Sequence, residues 1–235
     1  MNISLLCRHT GLLGAFVLLM QLALLGACGN RAAQRTALPA EAVILAFGDS
    51  LTFGTGAEAD SSYPAVLQTL SGHRVVNAGV PGETSGEGLA RLPSVLDEVK
   101  PGLLILCHGG NDMLRKLDMT ELKKNLHAML LLASEHKIPV LLVGVPEPKL
   151  ALATARLYAE LADETGVLYE GEVLAEVLQW PSTKHDMIHP NAAGYGKIAE
   201  ALNLSLKCRH EQSATGIGHY CVLYSASMYA LSTEH

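Results

Sequence analysis

The sequence predicts an α/β fold, in which helices cover both faces of an open, mostly parallel sheet of about five strands, giving three layers. Short apolar segments alternate with longer segments in which apolar residues recur every three or four positions. Such alternation is typical of parallel sheets whose strands are joined by helices. The apolar segments are rich in leucine, isoleucine and valine, which indicates a sheet buried on both faces.

The elements can be placed in order along the chain. Helical periodicity is clear over residues 120–135 and 150–164, and a last helix is expected over residues 191–206. One domain is therefore expected over residues 41–207, followed by a poorly ordered extension over residues 208–235. The expected strands are residues 43–47, 75–77, 103–107, 140–145 and 167–169.

The beginning of the chain has the features of an export signal. Arg8 precedes an apolar segment over residues 11–25, and small residues then lead to Cys28. This pattern resembles a bacterial lipoprotein signal peptide over residues 1–27, which implies cleavage before Cys28 and attachment of lipid to that residue. A plain secretory signal or an uncleaved anchor helix is the alternative, although this apolar segment is short for a bilayer-spanning helix.

A lipidated Cys28 implies a location in the bacterial cell envelope, facing the periplasm. Acyl chains would anchor the protein to a membrane, with residues 28–40 as a flexible tether. The net charge of −6 and the dispersed lysines argue against nucleic acid as a partner. The expected macromolecular partner is therefore the membrane, through Cys28.

Two short motifs, about 140 residues apart in the chain, contain a serine, an aspartate and a histidine that could act together. Ser50 follows Asp49 in a Gly-Asp-Ser-Leu motif directly after the first predicted strand, at the sheet edge where α/β folds place their sites. Asp186 stands three residues before His189, so its carboxylate can bind one imidazole nitrogen while the other nitrogen faces Ser50. Together they predict a Ser-His-Asp triad with Ser50 as the nucleophile.

Three hydrogen-bond donors are candidates for an oxyanion hole. They are the backbone N–H groups of Ser50 and Gly82 and the side-chain amide of Asn111, which follows the third predicted strand. Such donors stabilise the negative charge that forms on the ester oxygen during attack, each by about 2.7–4 kcal/mol in related chemistry. Glycine at position 82 allows close approach of the backbone to a substrate.

Each motif alone also has a simpler structural explanation. Asp49 and Ser50 are common in turns and at helix starts. Asn191 could be the N-cap of a helix that follows an incidental His189, and the Gly-Gly-Asn-Asp segment around Asn111 could be an ordinary loop. Their joint occurrence next to strand ends and helix starts favours a catalytic site.

Ser50, Gly82, Asn111 and His189 also match, in order and approximate spacing, the four named positions of the GDSL or SGNH hydrolases. The sequence resembles that family over residues 42–207. The resemblance is greatest to the bacterial periplasmic branch with arylesterase, thioesterase and lysophospholipase activity. It implies a flavodoxin-like SGNH hydrolase fold and ester hydrolysis through an acyl-enzyme, with Asp49 as a supporting residue.

The sequence departs from that family pattern at two positions. Glu83 stands where an aspartate is usual after the glycine, and His108 stands where an apolar residue is more usual. Neither position belongs to the expected triad.

No cofactor or metal is expected. Gly54 and Gly56 lack the third glycine of a dinucleotide-binding loop, and the chain contains no P-loop motif. Cysteines and histidines between residues 208 and 221 do not have a common zinc spacing.

The substrate remains open at this point. Met113, Leu114 and Met187 lie near the motifs and could line an acyl groove or pack in the core. The leading hypothesis is hydrolysis of aryl, short- to medium-chain acyl, lysophospholipid or thioester substrates. The alternatives are a carbohydrate acetylesterase of the envelope and a non-catalytic envelope binding module.

Overall fold

The computed structural model describes residues 38–149 and 152–215. The expected signal peptide, Cys28 and most of the expected tether lie outside the described residues, as do residues 216–235 of the expected extension. Within the described part of the chain, none of the helices is long and apolar enough to cross a membrane.

The described residues form a five-stranded sheet in the order β2-β1-β3-β4-β5. Each neighbouring pair is parallel, which confirms the predicted α/β class. The chain moves from β1 to one side of the sheet and then returns past β1 to β3, so β1 and β3 flank the switch point where α/β folds place their sites. The strands are β1 (Ile44–Gly48), β2 (Val75–Gly79), β3 (Leu103–Cys107), β4 (Val140–Val143) and β5 (Leu168–Glu170).

Helices connect the strands and form the outer layers. Right-handed crossovers put the helix between β1 and β2 on the face opposite to the helices that lead towards β3 and β4. Accordingly α2 packs on α8, whereas α3 packs on α5. The helices are α1 (Ser50–Phe53), α2 (Tyr63–Ser71), α3 (Ser85–Val99), α4 (Gly110–Leu114), α5 (Met119–Glu135), α6 (Arg156–Thr165), α7 (Val173–Gln179) and α8 (Ala192–Thr215).

The centre of the sheet is the core of the domain. Every residue of β1 and β3 is buried, as their continuous apolar sequences predict. On α5, Leu122, Leu126 and Leu130 recur at four-residue intervals and are buried. This packing makes a firm platform at whose carboxyl edge the loops after β1 and β3 begin.

The predicted helix over residues 150–164 begins later than expected; its first two residues, 150 and 151, lie outside the described residues. Residues 152–155 are not helical, and α6 begins at Arg156. Thr154 forms an antiparallel bridge with Pro146, while the Ala155 N–H donates to the Val145 carbonyl at 3.1 Å. The backbone of this segment is thus bound to the chain that follows β4, which prevents helical hydrogen bonding there.

The last helix is longer than the sequence pattern indicates. α8 begins at Ala192, one residue after the expected start, and continues to Thr215 instead of ending at residue 206. Residues 207–215 contain neither glycine nor proline, and Gly216 is the first strong helix breaker after them.

Candidate active site

The Gly-Asp-Ser-Leu motif lies at the carboxyl end of β1. β1 ends at Gly48, Asp49 is the N-cap of α1, and Ser50 is its first residue. The Asp49 carboxylate accepts a hydrogen bond from the Leu51 N–H at 3.0 Å. The motif is therefore a helix cap, as its simpler interpretation requires, and the same geometry presents Ser50 at the switch point.

His189 joins Ser50 to Asp186. His189 Nε2 lies 3.1 Å from Ser50 Oγ, and His189 Nδ1 lies 2.9 Å from Asp186 Oδ2. The second carboxylate oxygen of Asp186 accepts the backbone N–H groups of Ile188 and His189, each at 2.8 Å. The three side chains thus form one hydrogen-bonded chain across segments that are 139 residues apart.

The charge of Asp186 sets the tautomer of this imidazole. Partial burial would raise the pKa of Asp186, but the hydrogen bonds from His189 and Ile188 lower it. An ionised carboxylate only accepts hydrogen bonds, so Nδ1 of His189 carries the hydrogen that faces it. Nε2 is then left with a lone pair directed at the Ser50 hydroxyl, which is the arrangement a general base needs.

The loop that carries His189 is fixed to the start of α8. The His185 N–H donates to the His189 carbonyl at 2.8 Å, and Lys184 forms an antiparallel bridge with Pro190. Asn191 accepts the Gly194 N–H at 3.0 Å and so caps α8. The capping interpretation of this motif therefore holds together with the contact between His189 and Ser50.

Asn111 lies in the first turn of α4, after β3, and lines a cleft with Ser50. Its side-chain nitrogen donates to the Glu83 carbonyl at 3.0 Å and lies 3.4 Å from Asp49 Oδ2. An amide nitrogen has two hydrogens, and 3.4 Å is long for a hydrogen bond. One hydrogen is thus held by Glu83, and the other makes only the longer contact with Asp49, which an oxyanion could replace.

Gly82 is joined to this region through its neighbours. Its φ of +82° lies in the left-handed region, which glycine adopts without the penalty of a side chain. Arg115 donates to the Gly82 carbonyl at 2.7 Å, and Glu83, the next residue, contacts Asn111. The two loops that carry Gly82 and Asn111 are therefore bound to each other directly.

Asp49 is buried next to Asn111. Burial raises the pKa of this carboxyl group, while the charges of His108 and His189 and a hydrogen bond from Leu51 oppose the increase. Its carboxylate contacts the first turn of α1 through the Leu51 N–H and the side-chain amide of Asn111.

Several contacts of the site leave no recognisable pattern in the sequence. Arg91 donates to both carboxylate oxygens of Glu83 at 2.6 Å, and His108 Nε2 lies 3.1 Å from Glu83 Oε2. Arg115 binds Gly82 across a separation of 33 residues. Glu83 and His108 depart from the usual family pattern, but their spacing in the sequence does not indicate that they meet.

The cleft beside Ser50 has a mostly apolar wall. Leu114 and Met187 line it, with 42% and 83% of their surfaces exposed, whereas Met113 is buried in the core at 6% exposure. Of the three residues whose role was open, two therefore belong to the cleft and one to the core. Other apolar residues of the wall are Leu51, Val145, Pro146, Pro148, Leu152, Leu178 and Ile188.

Comparison with known proteins decides the family. The sequence profile of the GDSL-like lipase/acylhydrolase family matches residues 46–197, well over half of the chain. The chain belongs to this family. The matched range includes Ser50, Gly82, Asn111 and His189, on which the resemblance was based.

Two curated relatives of this family member are hydrolases by name. Esterase TesA from Pseudomonas aeruginosa is 36% identical over 129 residues, which make up 51% of this chain and 64% of that esterase. Thioesterase 1/protease 1/lysophospholipase L1 from Escherichia coli strain K12 is 32% identical over 165 residues, 67% of this chain and 79% of that protein. The matches thus span just under two thirds of the first relative and over three quarters of the second. Together with the family assignment, they confirm the prediction of an ester hydrolase.

A solved structure supports the fold assignment. The crystal structure of TesA superimposes with a TM-score of 0.65 and 31% identity, covering 71% of this chain and 99% of that one. The predicted SGNH hydrolase fold is therefore confirmed for this family member.

Proposed function

We propose that this chain hydrolyses carboxylic esters through an acyl-enzyme formed on Ser50. His189 accepts the hydroxyl proton as Ser50 Oγ attacks the ester carbonyl carbon, and then gives that proton to the departing alcohol or thiol. His189 next takes a proton from the water that attacks the acyl carbon and returns it to Ser50 Oγ as the acyl–oxygen bond breaks, which releases the acid and restores Ser50. The observation that carries this proposal is the 3.1 Å separation of Ser50 Oγ from His189 Nε2, with Asp186 bound to the same ring.

Three donors stabilise the tetrahedral intermediates in this mechanism. The Ser50 N–H is at the first position of α1, where helical N–H groups have no acceptor within the helix. The Asn111 amide lines the cleft with one hydrogen held by Glu83. The Gly82 N–H completes the set, on a loop that Arg115 binds through the Gly82 carbonyl.

The cleft favours an apolar acyl or aryl group over a sugar. Its wall is formed mostly by leucine, methionine, isoleucine, valine and proline side chains next to Ser50. Removing each methylene from water contributes about 0.8 kcal/mol. We therefore propose aryl, short- to medium-chain acyl, lysophospholipid and thioester substrates in preference to acetylated carbohydrates.

A series of p-nitrophenyl esters tests this substrate class. We expect kcat/KM to rise from acetate to butyrate and octanoate. Met187→Ser should lower kcat/KM for octanoate by about 3- to 10-fold and leave acetate nearly unchanged, because an apolar wall residue favours a long acyl chain more than an acetyl group. Leu131→Ser is the matched control, since Leu131 is 48% exposed on α5 and is not part of the cleft wall.

Preference for an acetylated sugar would instead support the carbohydrate acetylesterase, and absence of any turnover would support the binding module.

We further propose that the protein is a periplasm-facing lipoprotein anchored through Cys28. The support is the sequence pattern of residues 1–28, with an apolar segment and small residues before the cysteine. Mass spectrometry of the membrane fraction should find a mature chain that begins at an acylated Cys28. Cys28→Ser should abolish the acylation, and an unmodified N-terminus elsewhere in the wild type would contradict the proposal.

A further inference from the structure

A cluster of charged and polar side chains lies behind the proposed oxyanion donors and has no role in the mechanism above. It consists of Glu83, Arg91 and His108. The Glu83 residue is 8% exposed and His108 is fully buried. Arg91 binds both oxygens of Glu83 at 2.6 Å, donates to the Ala78 carbonyl at 3.0 Å and lies over the Phe47 ring at 4.1 Å.

Glu83 is joined twice to the segment that carries Asn111. Its side chain lies 3.1 Å from His108 Nε2, and its backbone carbonyl accepts the Asn111 amide at 3.0 Å. His108 and Asn111 are three residues apart, at the transition from β3 to α4. Glu83 itself follows Gly82 directly. This one residue therefore connects the loops of two proposed oxyanion donors, through a side-chain contact and a backbone contact.

The protonation of the pair follows from the charge of Glu83. Burial would raise the pKa of Glu83, but its hydrogen bonds and charge interactions with Arg91 and His108 lower it to about 2. The carboxylate is thus ionised under the conditions of any neutral assay and can only accept hydrogen bonds. The hydrogen between the two side chains consequently belongs to His108 Nε2.

Packing alone does not account for a histidine at this position. His108 Nδ1 is buried and has no hydrogen-bond partner among the described residues. An unpaired buried polar atom costs about 1–3 kcal/mol, which an apolar side chain would avoid. The imidazole ring fits only because residue 88 of α3 is glycine: a methyl group at that position would overlap His108 Nε2. The Glu83 contact is the interaction that only the polar ring provides.

We propose that Glu83 and His108 are a positioning pair that holds the Asn111 amide in the geometry required by the transition state. The His108–Glu83 contact fixes the peptide whose carbonyl orients Asn111, and neither side chain contacts the substrate. Misplacing such groups by about 1 Å can reduce a rate by 10²-fold. The inference rests on the oxyanion role proposed above for Asn111.

Replacement of His108 provides the first test. His108→Leu should lower kcat for p-nitrophenyl butyrate by about 10- to 100-fold with KM within 2-fold of wild type, since the donor is used chiefly in the transition state. His108→Gln keeps an N–H donor. Its decrease in log kcat should therefore be at most half of the decrease caused by His108→Leu. Leu67→Ala is the control for core damage: Leu67 is fully buried in α2, away from Glu83, and its loss should lower thermal stability without this selective fall in kcat.

A double-mutant cycle with Asn111 separates this inference from the proposed function. Asn111→Ala alone should lower kcat by about 10²–10³-fold, and an unchanged kcat would reject the oxyanion role itself. Adding His108→Leu to Asn111→Ala should lower kcat by less than about 3-fold further, because the group being positioned is already absent. A fully additive loss, or a His108→Leu enzyme within 2-fold of wild type while Asn111→Ala is impaired, would overturn the positioning pair.

Gly88→Ala keeps the test decisive if His108→Leu does not fold. Its methyl group would push the imidazole away from Glu83 while every polar group of the cluster remains. The same fall in kcat at unchanged KM is expected. A folded Gly88→Ala enzyme with wild-type kcat would contradict the proposal.

Discussion

Replacing Ser50 with alanine is expected to lower kcat by at least about 10³-fold while the domain remains folded. Ser50 Oγ is the atom that His189 Nε2 faces at 3.1 Å, and no acyl-enzyme can form without it. Any residual rate would come from substrate binding and the oxyanion donors, which still act on water. Helix α1 should persist, because its cap is the Asp49 carboxylate and the Ser50 contribution to the helix is its backbone.

The measurement combines steady-state kinetics on p-nitrophenyl butyrate with labelling by a fluorophosphonate, which reacts with activated serines. The Ser50→Ala enzyme should remain unlabelled and have a far-ultraviolet circular dichroism spectrum like that of wild type. Ser134→Ala, an exposed position at the end of α5, is the matched control and should retain both labelling and kcat. Appreciable hydrolysis by pure Ser50→Ala protein would reject Ser50 as the nucleophile.

Much of the fold follows from local patterns. β1 and β3 are predicted correctly because strands buried on both faces leave continuous apolar segments in the sequence. The helix prediction fails over residues 152–155 because apolar spacing there resembles a helix face, while Leu152 in fact lines the cleft. Pairing between residues 146 and 154 is a tertiary contact, and helical periodicity does not report it.

In the candidate site too, some features can be recognised from the local sequence and others cannot. The motifs around Ser50 and His189 are recognisable because each carries a reactive side chain and a helix cap in a few consecutive residues. The Glu83–His108 contact joins residues 25 apart in the chain, and the Arg115–Gly82 contact joins residues 33 apart. Neither pair has a characteristic spacing, so only the folded chain reveals them.

Asp186→Asn is expected to lower kcat by about 10⁴-fold, the size of the effect for the corresponding change in a serine protease triad. An asparagine amide can present its N–H₂ group to His189 Nδ1 in place of the carboxylate oxygen that now lies 2.9 Å away. Nδ1 must then accept, which moves the imidazole hydrogen to Nε2. Nε2 would donate towards Ser50 and could no longer take its proton.

The loop around Asp186 should survive this change. Asp186 Oδ1 accepts the backbone N–H groups of Ile188 and His189, and the amide oxygen of an asparagine can accept the same two bonds. Asp186→Ala removes both bonds as well as the carboxylate, so it should also lower thermal stability. Comparing the two variants separates the tautomer of His189 from the anchoring of its loop.

The decisive readouts are kcat and the rate of fluorophosphonate labelling of Ser50, both measured below the unfolding temperature of each variant. Asp186→Asn should be labelled far more slowly than wild type, because the nucleophile is present but lacks its base. Asp163→Asn on the exposed side of α6 is the matched control and should stay within 2-fold of wild type. An Asp186→Asn enzyme that retains more than about a tenth of the wild-type kcat would show that another group orients His189, since a fixed wrong tautomer permits no such rate.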